Sequence, residues 1–93
     1  MSAITIHEVY RVSLEVEGRE IAKVRKSAIE RDFDILNVDS DIAAISAEIK
    51  VDQGRDFPLA DAIIGATAKI HKLVCFTDDH HIKKISGLRT RWF

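Results

Sequence analysis

The 93 residues, of which 46% are hydrophobic and 31% charged, are enough for one small globular domain. Fourteen Lys and Arg residues against 15 Asp and Glu residues give a net charge of -1, so the overall balance does not indicate a nucleic-acid-binding protein. The single cysteine, Cys75, excludes an intrachain disulfide and reads as a small core residue. With neither a signal peptide nor an apolar run of membrane-spanning length, the sequence predicts a cytoplasmic protein.

The N-terminal residues predict a strand followed by a helix. Residues 2–6 (SAITI) are a short β-branched run that is typical of a strand. Thr5 and Glu8 then form the T-x-x-E pattern of a capping box, in which the two side chains satisfy unpaired amides at a helix N-terminus. The helix is predicted to continue to about Glu17 and to end at Gly18. Capping alone therefore gives Glu8 a structural role.

The middle of the chain predicts two further helices around a strand. Residues 19–31 place apolar side chains at helical spacing and mixed charges on the opposite face. Residues 35–38 read as a strand, and Asp39 or Ser40 caps a third helix through about Lys50. Asp39 and Asp41 are carboxylates that a metal could recruit, but capping and the helix dipole explain both.

Residues 58–87 are the most informative stretch. Pro58 suits the first turn of a helix whose apolar face repeats through Ile70, and small residues such as Gly65 would let this helix approach a neighbouring sheet closely. Residues 73–76 (LVCF) form a run typical of a strand covered on both faces. A short basic helix over residues 81–86 ends at Gly87, and residues 88–92 alternate as an edge strand would. Strands separated by helices predict about four parallel strands flanked by helices.

Carboxylates gather where the buried strand ends. Asp78 and Asp79 follow residues 73–76 directly, and Asp61 lies in the first turn of the preceding helix. In open α/β sheets the ligand crevice lies outside the carboxyl ends of the strands. Carboxylates brought together there repel one another unless a cation lies between them, and oxygen ligands suit Mg²⁺ or Mn²⁺. The sequence therefore predicts a divalent-metal site.

The same stretch resembles the C-terminal half of PIN domains, the ribonuclease fold of VapC-type toxins. The segments PLADAIIGATA, LVCFTDD, HHIKKISG and LRTRWF match the family pattern in order and spacing. The resemblance implies a three-layer α/β/α fold in which Asp61 and Asp79 are two of the metal-binding acids. Ser2, Thr5 and Glu8 resemble the family's S-x-x-T-x-x-E segment, which implies that Glu8 also reaches the metal. Capping and metal binding thus remain alternatives for Glu8.

The resemblance implies an activity: metal-dependent hydrolysis of RNA phosphodiesters, with Mg²⁺ or Mn²⁺ held by the three acids. Thr77 would orient water or phosphate, whereas Asp78 would point elsewhere if the turn is extended. Basic residues are frequent from Lys69 onwards, which suits either a phosphate-binding rim or a solvated charged face. The residues expected to grip the RNA backbone are Lys83, Lys84 and Arg89.

The chain also departs from the family pattern. PIN domains normally carry a leading strand that ends in an aspartate, and no Asp precedes Glu8 here. The departure predicts weaker metal binding and weak or lost activity. It also predicts that residues 2–6 pair with residues 73–77 or that another chain is recruited, giving a homodimer or higher oligomer. Two alternatives are a non-catalytic remnant that binds an antitoxin-like protein or its own copy, and a chain whose natural start lies upstream of Met1.

The histidines suggest other enzymes less well. Asp79, His80 and His81 spell the DHH motif of a manganese-dependent phosphoesterase family, but that family needs further Asp and His motifs and a much longer chain. A zinc site built from the same three residues is disfavoured, because His80 and His81 are adjacent and no cysteine joins them. The prediction therefore rests on the carboxylates.

Overall fold

The computed structural model describes residues 1–76 and 79–92, which contain five helices and two short strands. The chain divides into two compact units, which we call the N-terminal unit (Met1–Asn37) and the C-terminal unit (Val38–Phe93). Of the helices in the described residues, none is both long and apolar enough to cross a membrane.

The N-terminal unit is a helical pair, α1 (Ala3–Val16) and α2 (Arg19–Asp32). The predicted strand over residues 2–6 is wrong, because α1 begins at Ala3. Ser2 is the N-cap, and its hydroxyl accepts a hydrogen bond from the backbone N–H of Ile4 at 3.3 Å. The Thr5 capping box is wrong for the same reason, since Thr5 already lies in the first helical turn. A good N-cap and the helix that follows outweigh the strand preference of four β-branched or small residues.

Gly18 joins the two helices. Its φ of 92° lies in the left-handed region that favours glycine, and its N–H and that of Glu17 both donate to the carbonyl of Ser13. This confirms the predicted helix stop. The residues buried between the helices are small, chiefly Ser13 and Ala22. Arg25 donates to the Ser13 hydroxyl at 3.0 Å and also pairs with Glu17.

The predicted strand over residues 35–38 is reduced to a single parallel bridge between Leu36 and Ser2. The Leu36 N–H donates to the Met1 carbonyl at 2.7 Å, and the Ala3 N–H donates to the Leu36 carbonyl at 2.9 Å. The bridge cannot lengthen along the first segment because residues from Ala3 onwards are helical.

The C-terminal unit is built on α3 (Ser40–Gln53) and α4 (Leu59–Ile70). Asp39 caps α3 as predicted, accepting from the Ile42 N–H at 2.9 Å. Between the helices, Lys50 donates to the Phe57 carbonyl at 2.8 Å and so holds the loop against α3. The unit has an apolar core, to which both helices, the loop between them and a residue near the C-terminus contribute: Ile42, Ile49, Phe57, Ala62, Ala66 and Ile85.

Helix α4 packs more closely than a larger side chain would allow. Pro58 is its N-cap, one position before the predicted first turn. A Cβ added at Gly65 would lie 2.5 Å from Cδ1 of Ile85 and 3.6 Å from Cδ1 of Ile49. The small residues of α4 therefore allow close approach, as predicted, but the side chains nearest Gly65 are those of Ile49 and Ile85 and do not belong to a sheet.

The strands β1 (Cys75–Phe76) and β2 (Thr90–Arg91) pair in parallel, with Cys75 opposite Thr90. Between them, α5 (His80–Lys83) is shorter than the predicted helix over residues 81–86. Because residues 3–6 are helical, they do not form the predicted strand that would pair with residues 73–77. The four-stranded parallel sheet is thus not confirmed over residues 1–76 and 79–92.

Candidate functional site

Two of the three predicted metal-binding acids lie in the C-terminal unit, at the starts of two different helices. Asp61 lies in the first turn of α4, and Asp79 is the N-cap of α5. The carboxylate of Asp79 accepts the backbone N–H of His81 at 2.8 Å, which fixes it at the start of the helix. The Asp61 side chain is 16% exposed and that of Asp79 is 40% exposed. One acid is therefore largely sheltered and the other open to solvent.

His81 lies between these two carboxylates. Its Nδ1 is 3.3 Å from Oδ1 of Asp79 and 3.6 Å from Oδ2 of Asp61. The carboxylates of both acids therefore lie close to the same atom, Nδ1 of His81. The arrangement brings together two residues that are separated by most of α4 and by β1 in the sequence.

The position of the His81 ring is set by its aromatic neighbours. The ring of Phe57, which belongs to the buried core, meets it edge to face with centroids 5.7 Å apart. The His80 ring also lies beside the His81 ring, with centroids 4.0 Å apart and a tilt of 36° between the ring planes. The loop that Lys50 holds in place therefore supports the site from the core.

The carboxylate of Asp79 is held in its ionised form. Partial burial by itself raises the pKa of Asp79. Hydrogen bonds from the backbone N–H groups of His81 and Ile82, together with the interactions of the carboxylate with the His81 and His80 side chains, lower the pKa by more than burial raises it. The net pKa lies below the ordinary value for Asp. An ionised carboxylate is the form that binds a cation.

The donor set fits a divalent cation. Asp79, His80 and His81 each offer one ligand atom, and these atoms lie within 4.8 Å of one another in the described part of the chain. Asp61 adds a second carboxylate beside His81. Carboxylate oxygens suit Mg²⁺ and Mn²⁺, and imidazole nitrogens suit transition metals.

The third predicted acid, Glu8, lies on α1 in the N-terminal unit. It forms an ion pair with Arg11 of the same helix at 3.5 Å, and its side chain is 42% exposed. This ion pair joins residues one turn apart and is solvent-exposed, so its own contribution to stability is small. A metal-binding role for Glu8 stays a prediction.

The predicted substrate-binding residues have mixed outcomes. Thr77 lies outside the described residues, as does Asp78. Lys83, Lys84 and Arg89 are exposed, which leaves them accessible to a phosphate backbone. Arg89 also lines a small cavity of about 160 Å³, where the other basic lining residues are Lys69 and Lys72.

The position of His81 between the two acids was not predicted from the sequence. The signal that could have done so is its spacing from the N-cap: His81 follows Asp79 by two residues, where the cap carboxylate reaches the backbone N–H. Cys75 is half-buried and does not belong to the buried core that the sequence predicted for it, but burial raises the pKa of its thiol and so disfavours the nucleophilic thiolate.

The fold is helix-rich, and Asp61 and Asp79 lie at the starts of two of its helices. The family model for the PIN domain matches residues 1–88, and the chain belongs to the PIN domain family. A search of curated proteins found no match.

Among solved structures, the chain is similar to one in the crystal structure of DNA-bound VapBC from Salmonella typhimurium. The similarity covers 98% of this chain and 72% of that one, with a TM-score of 0.83 and 20% sequence identity. This match shows a shared fold.

Proposed function

We propose that this PIN domain is a metal-dependent endoribonuclease of the VapC toxin type, which hydrolyses RNA phosphodiesters in the cytoplasm. The observation that carries the proposal is the convergence of Asp61 and Asp79 on Nδ1 of His81. The acids belong to separate helices, and a cation bound between them would offset the repulsion of their charges. Family membership supplies the reaction class.

In this proposal Asp61 and Asp79 hold Mg²⁺ or Mn²⁺, with Glu8 as a third acid. Asp61 contributes a sheltered carboxylate, where a charge interaction is weakened less by solvent than at an open position. Asp79 contributes one that its helix keeps ionised. When bound, the cation supplies an activated water and neutralises charge on the phosphoryl oxygens.

The basic residues would hold the substrate. Lys83, Lys84 and Arg89 are exposed in the segment that carries Asp79, and they would contact phosphates without reading the base sequence. Such contacts position the RNA and do not determine its sequence.

The test is cleavage of a mixed pool of labelled RNAs in Mn²⁺, Mg²⁺ or EDTA. Asp61→Asn is compared with Asp41→Asn, a matched control in which an acid in the first turn of α3 is changed. We expect metal-dependent cleavage by the wild type and by Asp41→Asn, and cleavage by Asp61→Asn no greater than in EDTA. Equal cleavage by both variants, or no cleavage by folded wild type in either metal, would overturn the proposal.

A second candidate function is binding of a protein partner, either an antitoxin-like protein or another copy of this chain. A groove of about 750 Å³ lies in the N-terminal unit, where the apolar side chains of Ile6 and Leu14 line it together with the basic residues Arg11, Lys23 and Lys26. Such a groove suits a partner with an apolar face and acidic flanks. The structural neighbour comes from a VapBC complex, which favours an antitoxin-like partner.

Binding to another copy of the chain changes the mass of the purified protein in solution, whereas binding to an antitoxin-like protein does so only when that partner is present. Size-exclusion chromatography with light scattering on the purified chain tests self-association directly. A homodimer or larger species is the expected result, and a mass of 10.5 kDa at all concentrations would count against self-association.

A further inference from the structure

We propose that His81 is a nitrogen ligand of the site formed by Asp61 and Asp79, and that the site therefore prefers Zn²⁺ or Co²⁺ to Mg²⁺. The inference extends the metal site of the proposed function, but it concerns binding of the ion and does not require RNA cleavage. It gives a role to His81, a side chain that has none in the proposed nuclease mechanism.

The distances around His81 suit a shared ion. Ligand atoms at the corners of a zinc tetrahedron, with bonds near 2.0 to 2.1 Å, lie about 3.3 to 3.4 Å apart. The Nδ1 atom of His81 lies 3.3 Å from the Asp79 carboxylate and 3.6 Å from the Asp61 carboxylate. Neighbouring ligands of octahedral Mg²⁺ lie closer together, at about 2.9 Å. The observed spacing is nearer to that of a tetrahedral ion.

The ring is also supported in the orientation that the ligand role needs. The edge-to-face contact with buried Phe57 links it to the core, so that only small adjustments of the carboxylates would be needed. His80 adds a further ligand atom within 4.8 Å of those of Asp79 and His81. Three donor side chains, Asp79, His80 and His81, are therefore mutually close, and Asp61 offers a further carboxylate 3.6 Å from Nδ1 of His81.

The chemistry of these donors separates the metals. Mg²⁺ binds oxygen ligands and gives up its waters reluctantly, whereas imidazole suits zinc and other first-row transition ions. For a mixed nitrogen and oxygen site, affinity rises along the series from Mn²⁺ through Co²⁺. A site made of carboxylates alone would have a weaker preference for the later metals.

The experiment titrates the full chain with Co²⁺, followed by its visible absorption, and with Zn²⁺ and Mg²⁺ by calorimetry. His81→Phe keeps an aromatic ring against Phe57 and removes the nitrogen, and His81→Gln removes the ring but stays polar. His71→Phe is the matched control, because His71 is exposed at the end of α4. Circular dichroism establishes that each variant is folded before titration.

We expect wild type and His71→Phe to bind Zn²⁺ and Co²⁺ more tightly than Mg²⁺, with Co²⁺ bands typical of a low-coordinate nitrogen and oxygen site. Both His81 variants should lose about tenfold or more in Zn²⁺ and Co²⁺ affinity, with a smaller change for Mg²⁺. Unchanged Zn²⁺ affinity in a folded His81 variant, or no preference for Zn²⁺ over Mg²⁺ in the wild type, would overturn the inference.

The outcome is separable from that of the proposed function. RNA cleavage that depends on Asp61 together with His81-independent metal binding would refute this inference and leave the nuclease standing. Metal binding that depends on His81 in a chain that cleaves no RNA would do the reverse.

Discussion

The two units differ most in what they bury. The C-terminal unit encloses large apolar side chains, including Ile42, Ile49 and Phe57, whereas the N-terminal unit encloses the small residues Ser13 and Ala22. Large apolar side chains are partly exposed in both units, and those of the N-terminal unit are Val12, Leu14, Val16, Ile21, Val24 and Phe33. Large exposed apolar surfaces commonly mark interaction sites.

The difference teaches where each proposed function resides. Side chains that converge on one point need rigid support, and the C-terminal core gives that support through Phe57 and α4. The apolar surface and groove of the N-terminal unit suit a partner instead. Substitutions in the two units should therefore have different consequences, and the predictions that follow run from the largest expected effect to the smallest.

The largest effect is expected at Ile42, whose side chain is fully buried in the C-terminal core. Ile42→Ala removes apolar contacts and leaves a cavity, so the free energy of unfolding should fall by about 2 to 5 kcal/mol. Val51→Ala on the same helix is the control, because Val51 is 86% exposed and its loss should change stability by less than about 0.5 kcal/mol. Urea unfolding measures both. Similar losses in the two variants would contradict the assignment of the core.

Close packing at Gly65 gives the next effect. Gly65→Val forces the Ile85 side chain to move, because even a Cβ would lie 2.5 Å from its Cδ1. Overpacking of this kind costs about 1 to 3 kcal/mol. Gly65→Ala should cost less, since the helix preference of Ala over Gly offsets about 1 kcal/mol. Thermal unfolding that ranks the valine variant at or above wild type would show that α4 does not pack as described.

The interior of the N-terminal unit should depend on a polar contact. Ser13→Ala removes the hydroxyl that accepts from Arg25, which should lower the free energy of unfolding by about 1 kcal/mol. A cycle with Arg25→Ala isolates this contact, because Arg25 also pairs with Glu17. Additive losses in the double variant would mean that the Ser13 contact contributes nothing.

The smallest effect is the pH dependence that Asp79 contributes in metal-free protein. Because its pKa is lower in the folded chain than in the unfolded one, ionised Asp79 favours folding above the unfolded pKa, which is about 3.9. That contribution should disappear as pH falls through the folded pKa. Asp79→Asn, which can still cap α5, should therefore lose less stability than wild type between about pH 5 and pH 3. Parallel acid profiles by urea unfolding would exclude this contribution.

Much of the helical part was predictable because its signals are local. Gly18 and Asp39 mark the starts of α2 and α3, and the apolar repeats indicate how far each helix extends. The observed bounds agree with these predictions within a few residues. The predicted strand over residues 2–6 is wrong because Ser2 caps a helix, and this local signal outweighs the β-branched composition of the segment. The strand over residues 35–38 failed because a strand needs a neighbour, and its neighbour is helical after Ser2.

The candidate site was predictable in part. The resemblance singled out Asp61 and Asp79, which do lie near one another in the C-terminal unit. The position of His81 was not predictable, because it depends on the Phe57 loop and on the packing of α5, which are tertiary features. Adjacency of His80 and His81 argued against a shared ligand role in the sequence, yet their rings lie only 4.0 Å apart.

The most direct test of a single cation site is Mn²⁺ binding to the full chain, measured by the loss of the free-ion signal in electron paramagnetic resonance. Asp61→Asn, Asp79→Asn and the double variant are compared with Asp41→Asn. One shared site predicts that either single substitution lowers affinity by tenfold or more, and that the double variant loses much less than the sum of the two losses. Wild-type affinity in the double variant would contradict the account.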